Sequence, residues 1–269
     1  MSDILETYYG DSPHVPDLIA ATAYQDLKEY LETNNDKVFY GRQLEVIFED
    51  KYFHWITNRV VRELVANKEI LFEKRNLKNG GHIILYWNKY FRYYKREASK
   101  VIDIVEKFSK DNVGYAIGNN CELLVLEGFA KNRYLLIGRD SNIFNEKKWQ
   151  ATQHDLDLII EKDSITYGIE IKNTLGYMDK KEFDLKILLC HFLGIKPVFV
   201  ARMLPKIWIN ELIKEGGFAL ILKYQLFPPL LKELALQMKN ELNLPVDYPK
   251  SLFDGTIKRF DKWHQKYVN

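Results

Sequence analysis

The residues most able to do chemistry lie in the run IEIK at 169–172, in the second half of the chain. Side chains of a strand alternate between its two faces, so a strand here places Glu170 and Lys172 together. Two charged groups on one strand face are unfavourable unless they pair or bind something. Asp157 leads the apolar run 158–160. If the two segments form a hairpin, Asp157 and Glu170 can approach each other at one end of a sheet.

Such a pair of carboxylates suits a divalent metal ion. Two nearby negative charges repel, and a cation relieves the repulsion. Carboxylate oxygens with room for water favour Mg²⁺, and Mn²⁺ can take its place. Lys172 could orient or help activate a water and balance charge on a phosphate oxygen. These groups predict metal-assisted hydrolysis of a phosphodiester bond by a metal-held water attacking phosphorus in line.

The elements that must position these residues alternate between helix and strand. Hydrophobic periodicity predicts helix 119–130, strands 133–138, 155–161 and 165–172, helix 179–194, strand 196–201, a helix near 204–215 and strand 217–222. Residues 228–269 read as mostly helical. This order predicts an α/β fold with a mixed sheet. Strands 155–161 and 165–172 should pair antiparallel, and the strand after the crossover helix can join in parallel.

The arrangement resembles the PD-(D/E)XK nuclease superfamily over residues 100–225. The resemblance rests on Asp157 followed by Glu170-x-Lys172 within the order helix, three strands, helix, strand. It implies a restriction-endonuclease-like core. In such a core Asp157 and Glu170 would be metal ligands and Lys172 would lie near the attacking water. Glu122, on the preceding helix, would complete the metal site.

Two choices within this resemblance stay open. Asp155 shares a strand face with Asp157, and we prefer Asp157 because the apolar run follows it directly. Glu127, or simply a solvated acid, would fit the place of Glu122. The first half-motif of the superfamily, Pro-Asp, is here Leu156-Asp157, a substitution that the superfamily commonly shows.

The first hundred residues are marked by their charge. Residues 1–50 contain 3 basic and 11 acidic side chains, whereas residues 51–100 contain 12 basic and 4 acidic ones. A basic block interleaved with aromatic residues suits a polyanion, because each phosphate contact releases a counterion. A solvated helix face is the alternative explanation of the charge.

Three helical stretches (18–33, 41–49 and 57–67) and a hairpin (70–74 and 83–87, around Asn79-Gly80-Gly81) lie in or next to this block. Their order resembles the winged helix-turn-helix family, in which the third helix enters the major groove and the hairpin touches the backbone. A protein-docking or dimerisation module is the alternative. The residues that the resemblance would place at DNA are Asn58, Arg59 and Arg62 near bases, and Lys74, Arg75, Lys78 and His82 near phosphates.

Composition and length bound the remaining possibilities. A chain of 269 residues, 46% of them apolar, permits a packed core and two domains. We divide it into a winged helix-turn-helix DNA-binding domain (1–97) and a nuclease domain (98–269). No apolar run approaches the roughly 18 residues that cross a bilayer, and no basic signal segment is evident, which predicts a soluble cytoplasmic protein. Two cysteines cannot form a disulfide framework. The sequence contains no phosphate-binding glycine motif, so we expect no nucleotide cofactor.

Together these features predict a Mg²⁺-dependent endonuclease that cuts duplex DNA in a restriction or host-defence setting, as a type II restriction endonuclease does. We expect a homodimer, because one active site cuts one strand. A structure-selective nuclease for repair or junction resolution would share the same catalytic residues. From another class, a DNA-binding regulator could carry a catalytically inactive nuclease fold.

Overall fold

The computed structural model describes residues 17–268. The chain divides into two compact units, with the boundary between Glu106 and Lys107. The boundary expected from the sequence, after residue 97, falls earlier because one continuous helix, Tyr94–Phe108, runs through both positions. Residues 1–16 of the expected first domain, and residue 269 of the second, lie outside the described residues.

The N-terminal unit combines helices with a three-stranded antiparallel sheet. Its elements are α1 (Asp17–Thr33), β1 (Val38–Tyr40), α2 (Gly41–Phe48), α3 (His54–Ala66), β2 (Ile70–Asn76), β3 (His82–Asn88) and α4 (Tyr94–Phe108), the helix that contains the boundary. The strand order is β1-β3-β2. The three predicted helices and the predicted hairpin are therefore present, and β1 is an addition, too short to show a hydrophobic period.

Helix α3 illustrates how this unit sorts its side chains. Val60, Val61 and Leu64 are buried in the core of the unit with the inner faces of α1 and α2. The helical period then leaves Arg59 and Arg62 on the exposed side. The hairpin that follows turns at Gly80 and Gly81, both of which have positive φ.

The C-terminal unit is built around a five-stranded sheet. Its elements are α5 (Asp111–Lys131), β4 (Leu135–Ser141), β5 (Ile143–Phe144), β6 (Lys147–Lys148), β7 (Leu156–Lys162), β8 (Ile165–Lys172), α6 (Lys180–Leu193), β9 (Lys196–Ala201), α7 (Lys206–Lys214), β10 (Phe218–Ile221), β11 (Gln225–Leu226), a 3₁₀ turn (Pro229–Leu231), α8 (Lys232–Asn240), β12 (Val246–Asp247) and α9 (Asp254–Val268). Helix α5 begins well before the predicted start at 119: Val113 and Ile117 extend its buried face, and Gly114 and Gly118 weaken the helical signal there. The tail that read as mostly helical also contains the short strands β11 and β12.

The central sheet has the order β10-β9-β8-β7-β4. Strands β4, β7 and β8 pair antiparallel, whereas β9 pairs parallel with β8 and β10 pairs parallel with β9. The predicted mixed α/β sheet is confirmed, including the antiparallel hairpin and the parallel strand that follows the α6 crossover. A parallel neighbour requires a long connection, and α6 supplies it.

The turn between β7 and β8 fixes the register of the hairpin. Lys162 pairs with Ile165, so only Asp163 and Ser164 form the loop, and both have positive φ as in the tight turns of twisted hairpins. Pairing continues to Leu158 opposite Ile169. Beyond that pair, the Asp157 carboxylate accepts a hydrogen bond from the backbone N–H of Ile171, the residue after Glu170, so Asp157 and Glu170 are neighbours at this end of the hairpin.

Helix α9 holds the turn end of the same hairpin. His264 is fully buried, with Nδ1 2.7 Å from the Tyr167 hydroxyl and Nε2 2.9 Å from a carboxylate oxygen of Asp163. Asp261 of the same helix accepts hydrogen bonds from Tyr134 and Lys162. The hairpin is thus anchored at its turn, away from the end that carries Asp157.

Close packing of α6 on β8 depends on Gly168. A Cβ at this position would lie 2.6 Å from Cys190 Sγ and 2.7 Å from Leu156 Cδ1. We therefore expect Gly168→Ala to lower the free energy of unfolding by about 1–3 kcal/mol, as overpacking of a core does, in chemical denaturation. Gly114→Ala is the matched control, because Gly114 lies in a helix with no heavy atom within 4 Å of the added Cβ. Equal effects of the two substitutions would contradict this account of the packing.

Among the described helices, none is both long enough and apolar enough to cross a lipid bilayer.

Candidate functional site

Four charged side chains from β8 and α6 interlock at one end of the sheet. Glu170, 3% exposed, lies with its carboxylate 2.5 Å from Lys186 Nζ. Lys172 Nζ is 2.6 Å from Glu182 and 3.8 Å from Glu170. The two charges of β8 are spaced i, i+2 and those of α6 i, i+4, so each carboxylate of one element contacts an ammonium of the other. This pairing offsets the desolvation penalty of placing two charged side chains on one strand face.

Asp157 stands beside this group without an ion pair among the described residues. Its carboxylate accepts a hydrogen bond from the backbone N–H of Ile171, and its side chain is half-buried. Asp155, the alternative considered from the sequence, lies outside β7 with an exposed side chain. Of the two aspartates, Asp157 is therefore the one whose charge acts on Glu170.

Burial and mutual repulsion make these two carboxylates hard to ionise. Burial raises the pKa of Glu170 to about 7, and the neighbouring Asp157 adds to the rise against the opposing effect of Lys186. Burial also raises the pKa of Asp157 to about 6, although the Ile171 N–H and Lys186 oppose the shift. Raised carboxylate pKa values in a charged cluster are a feature of functional sites. A cation bound beside these carboxylates would stabilise their ionised forms.

Lys172 remains an ammonium in this environment. Burial disfavours its charge, but the bond to Glu182 and the carboxylates of Glu170 and Asp157 outweigh burial, so the pKa of Lys172 is raised above its usual value. A lysine in this state can donate hydrogen bonds and stabilise negative charge. It cannot accept a proton as a general base.

The proposed helix acid Glu122 is engaged elsewhere. Its carboxylate is 2.9 Å from Arg139 Nη2, on β4. Its charge nevertheless contributes to the raised pKa of Asp157. Glu127, the alternative, pairs with Lys131 one turn along the same helix and lies on the exposed side. Of the two glutamates, Glu122 is the one whose charge acts on Asp157, although it is held by an arginine.

The oxygen donors available to a divalent ion are the carboxylates of Asp157 and Glu170. Within residues 17–268, no three His, Cys, Asp or Glu side chains are gathered as a metal-binding group. Asp157 and Glu170 still provide two hard oxygen donors in a buried, carboxylate-rich setting. Mg²⁺ is commonly held by one or two carboxylates and completes its coordination with water and substrate phosphate. Two carboxylates therefore fit Mg²⁺ or Mn²⁺, with Glu122 as an outlying acid.

Asn173, the residue that follows β8, ties the end of this strand to neighbouring segments through its side chain. Its side-chain nitrogen donates to the carbonyls of Ile117 and Leu226, and its side-chain oxygen accepts from Leu226 N–H. The buried Arg202 donates to the carbonyls of Thr174 and Leu175. The side-chain amide of Asn173 is therefore committed to hydrogen bonds inside the protein.

The predicted base-reading residues lie on α3 of the N-terminal unit. Arg59 is exposed and has no ion pair among the described residues. Arg62 is exposed, and its Nε donates to the carbonyl of Asn58. The side-chain amide of Asn58 donates to Glu45 at 2.6 Å, so this residue is held against α2.

The predicted phosphate contacts on the hairpin differ in how far they are engaged. Arg75 makes a two-pronged pair with Glu73, at 2.9 and 3.0 Å. Lys78 pairs with Glu106 at 3.2 Å, and its backbone N–H donates to the same carboxylate. The residues of this set that are exposed and have no ion pair within the described part of the chain are Lys74 and His82.

Sequence reasoning missed Lys186 and Glu182. A usable signal was present, because Lys186 lies on the buried stripe of α6 between Phe183 and Cys190, where the helical period calls for an apolar residue. A lysine at such a position needs a buried anion. The nearest strand with a carboxylate on the facing side is the one that carries Glu170.

The chain was compared with known proteins. No protein-family model matches it, and comparison with curated proteins gives no match. A solved structure with some similarity is that of protein VC1899 from Vibrio cholerae, which is 15% identical. The match covers 85% of this chain and 52% of that one, with a TM-score of 0.25, so this chain spans about half the length of that protein. A similarity at this level carries no argument about fold or function.

Proposed function

We propose that this protein is a Mg²⁺-dependent endonuclease that hydrolyses phosphodiester bonds in duplex DNA, as a type II restriction endonuclease does. The observation that carries the proposal is the meeting of Asp157 and Glu170 on neighbouring strands, with Lys172 two residues further on. Asp157 supports the proposal most directly, because it is a half-buried carboxylate without an ion pair among the described residues and a bound cation would stabilise its ionised form.

Each side chain then has a defined task. Asp157 and Glu170 would hold the ion, Mg²⁺ or Mn²⁺, through their carboxylate oxygens. When bound, the ion supplies Lewis-acid polarisation of the phosphodiester and a more acidic water. Lys172, kept protonated, donates hydrogen bonds to a phosphate oxygen or to the water and balances developing negative charge. Glu182 holds the ammonium of Lys172 in place at 2.6 Å.

The N-terminal unit would bring the duplex to this site. Its support is the excess of basic over acidic residues in 51–100 and the exposed Arg59 and Arg62 on α3. The homodimer expected from the sequence belongs to the same proposal, because one catalytic centre cuts one strand and a double-strand break needs two.

The proposal is tested by incubating purified protein with supercoiled plasmid and phage DNA. Conversion to nicked and linear forms is expected with Mg²⁺ or Mn²⁺ and not with a chelator. Sequencing the ends would then give the recognition site. An intact substrate under every divalent ion would contradict nuclease activity on duplex DNA.

A second candidate is a DNA-binding regulator that does not cleave. It is favoured by the ion pairs Lys186–Glu170 and Arg139–Glu122, which already balance two of the proposed ligands. Sequence-selective DNA binding without cleavage in the same assay would favour this candidate over the nuclease.

We expect the exposed arginine of α3 to contribute more to DNA affinity than the paired arginine of the hairpin. Arg59→Ala should weaken binding by about 1–3 kcal/mol, the range for an arginine at a base edge. Arg75→Ala should weaken binding less, because its guanidinium is already committed to Glu73. Fluorescence anisotropy at several salt concentrations measures both. An equal loss from the two variants, or none from Arg59→Ala, would contradict the placement of DNA on α3.

A further inference from the structure

Lys186 is buried at a position where nothing but a nearby anion can balance its charge. It is 5% exposed, on the face of α6 that packs against the sheet. Its ammonium lies 2.5 Å from Glu170 Oε2 and also contacts the backbone carbonyl of Asp155. It therefore ties the beginning of the β7 segment to the end of β8.

These contacts bring a fixed positive charge to one of the two proposed metal ligands. A divalent ion held by Asp157 and Glu170 would share Glu170 with this ammonium. The two cations repel each other, and in a partly buried site the repulsion is much less screened than in water. Lys172 adds a second ammonium 3.8 Å from the same carboxylate, but Glu182 compensates it at 2.6 Å. Within the described residues, Glu170 is the one carboxylate that forms an ion pair with Lys186.

We propose that Lys186 is the built-in counter-ion of the metal site. It neutralises Glu170 while no metal is bound, and it keeps the affinity of the protein for the divalent ion low. This inference rests on the proposed function and adds to it a residue that sets metal affinity without touching DNA.

The test measures Mn²⁺ binding by isothermal titration calorimetry in the absence of DNA. Lys186→Met and Lys186→Gln are expected to bind Mn²⁺ at least about tenfold more tightly than wild type, because the competing charge is gone. Lys186→Arg keeps the charge and should bind as wild type does. Lys181→Met is the matched control: it removes an exposed lysine from the first turn of the same helix and should leave affinity unchanged.

A second measurement covers the case of a variant that is unfolded without metal. Removal of Lys186 takes away the closest ammonium of the buried Glu170, so the thermal midpoint of Lys186→Met should fall without metal. Mn²⁺ should raise it by more than it raises the midpoint of wild type. A variant that Mn²⁺ does not restore would overturn the inference, as would unchanged or weaker Mn²⁺ binding by a folded variant.

The outcomes also separate this inference from the proposed function. Cleavage by wild type together with unchanged Mn²⁺ affinity in the Lys186 variants overturns the inference alone. Tighter Mn²⁺ binding by those variants with no cleavage by any protein upholds the inference and overturns the nuclease. No Mn²⁺ binding by any protein, with no cleavage, overturns both.

Discussion

Replacing Asp157 by Asn is expected to slow metal-dependent DNA cleavage by about 10²-fold or more while the protein stays folded. The amide is neutral and a poor ligand for Mg²⁺, so one of two carboxylate ligands is lost. Its oxygen can still accept the hydrogen bond from Ile171 N–H, which preserves the local structure. The initial rate of loss of supercoiled plasmid, at saturating metal, is the measurement.

Asp155→Asn is the matched control for this prediction. Asp155 is two residues away and undergoes the same chemical change, but its side chain is exposed and it lies outside β7. Its cleavage rate should stay within a factor of two or three of wild type, in keeping with a surface substitution of about 0.5 kcal/mol. If Asp155→Asn is the variant that loses activity, the metal ligand has been assigned to the wrong aspartate.

Lys172→Ala provides the companion result in the same assay. Because Lys172 is an ammonium that would stabilise charge on phosphate, its loss should lower the maximal rate with little change in Mn²⁺ affinity. Cleavage as fast as that of wild type would show that Lys172 is not part of the active site.

The second large effect is on stability as a function of pH. Burial raises the pKa of Asp157 to about 6 and of Glu170 to about 7, above their ordinary values of 3.8 and 4.5. These two groups therefore hold more protons in the folded protein than in the unfolded chain between pH about 4 and about 7. Their contribution to stability falls as pH rises through that window, by several kcal/mol at most. Chemical denaturation at a series of pH values without metal measures this slope.

Asp157→Asn should flatten the pH dependence of stability by more than the contribution of the Asp157 carboxyl alone. It removes one titrating carboxylate and also the negative charge that helps to raise the pKa of Glu170. Asp155→Asn should leave the slope as in wild type. Equal pH dependence of wild type and Asp157→Asn would mean that neither carboxylate is as reluctant to ionise as its burial implies.

Much of the C-terminal fold follows from local patterns in the sequence. Strand 165–172 was predicted within its observed bounds, because its alternation is regular and the short polar turn Asp163-Ser164 precedes it. The parallel addition of β9 follows from the length of the α6 crossover. Helix starts were less well predicted, as at α5, where Gly114 and Gly118 lower the helix propensity of the first turns although Val113 and Ile117 are buried.

The same local patterns in the N-terminal unit predicted its helices and hairpin, and they located Arg59 and Arg62 on the outer side of α3. They could not show that Arg75 is paired with Glu73 or that Asn58 is held by Glu45. A charge count records side chains, and only their positions reveal which of them are already neutralised.

By itself, the sequence determined the alternation of elements, the strand that carries Glu170 and Lys172 on one face, and the hairpin that brings Asp157 near Glu170. Only the tertiary structure decided that α6 lays Glu182 and Lys186 against the two charges of β8. The physical reason is the distance along the chain over which each effect acts. Periodicity and turn chemistry act between neighbours along the chain, whereas burial and ion pairing depend on which distant element packs against a given face.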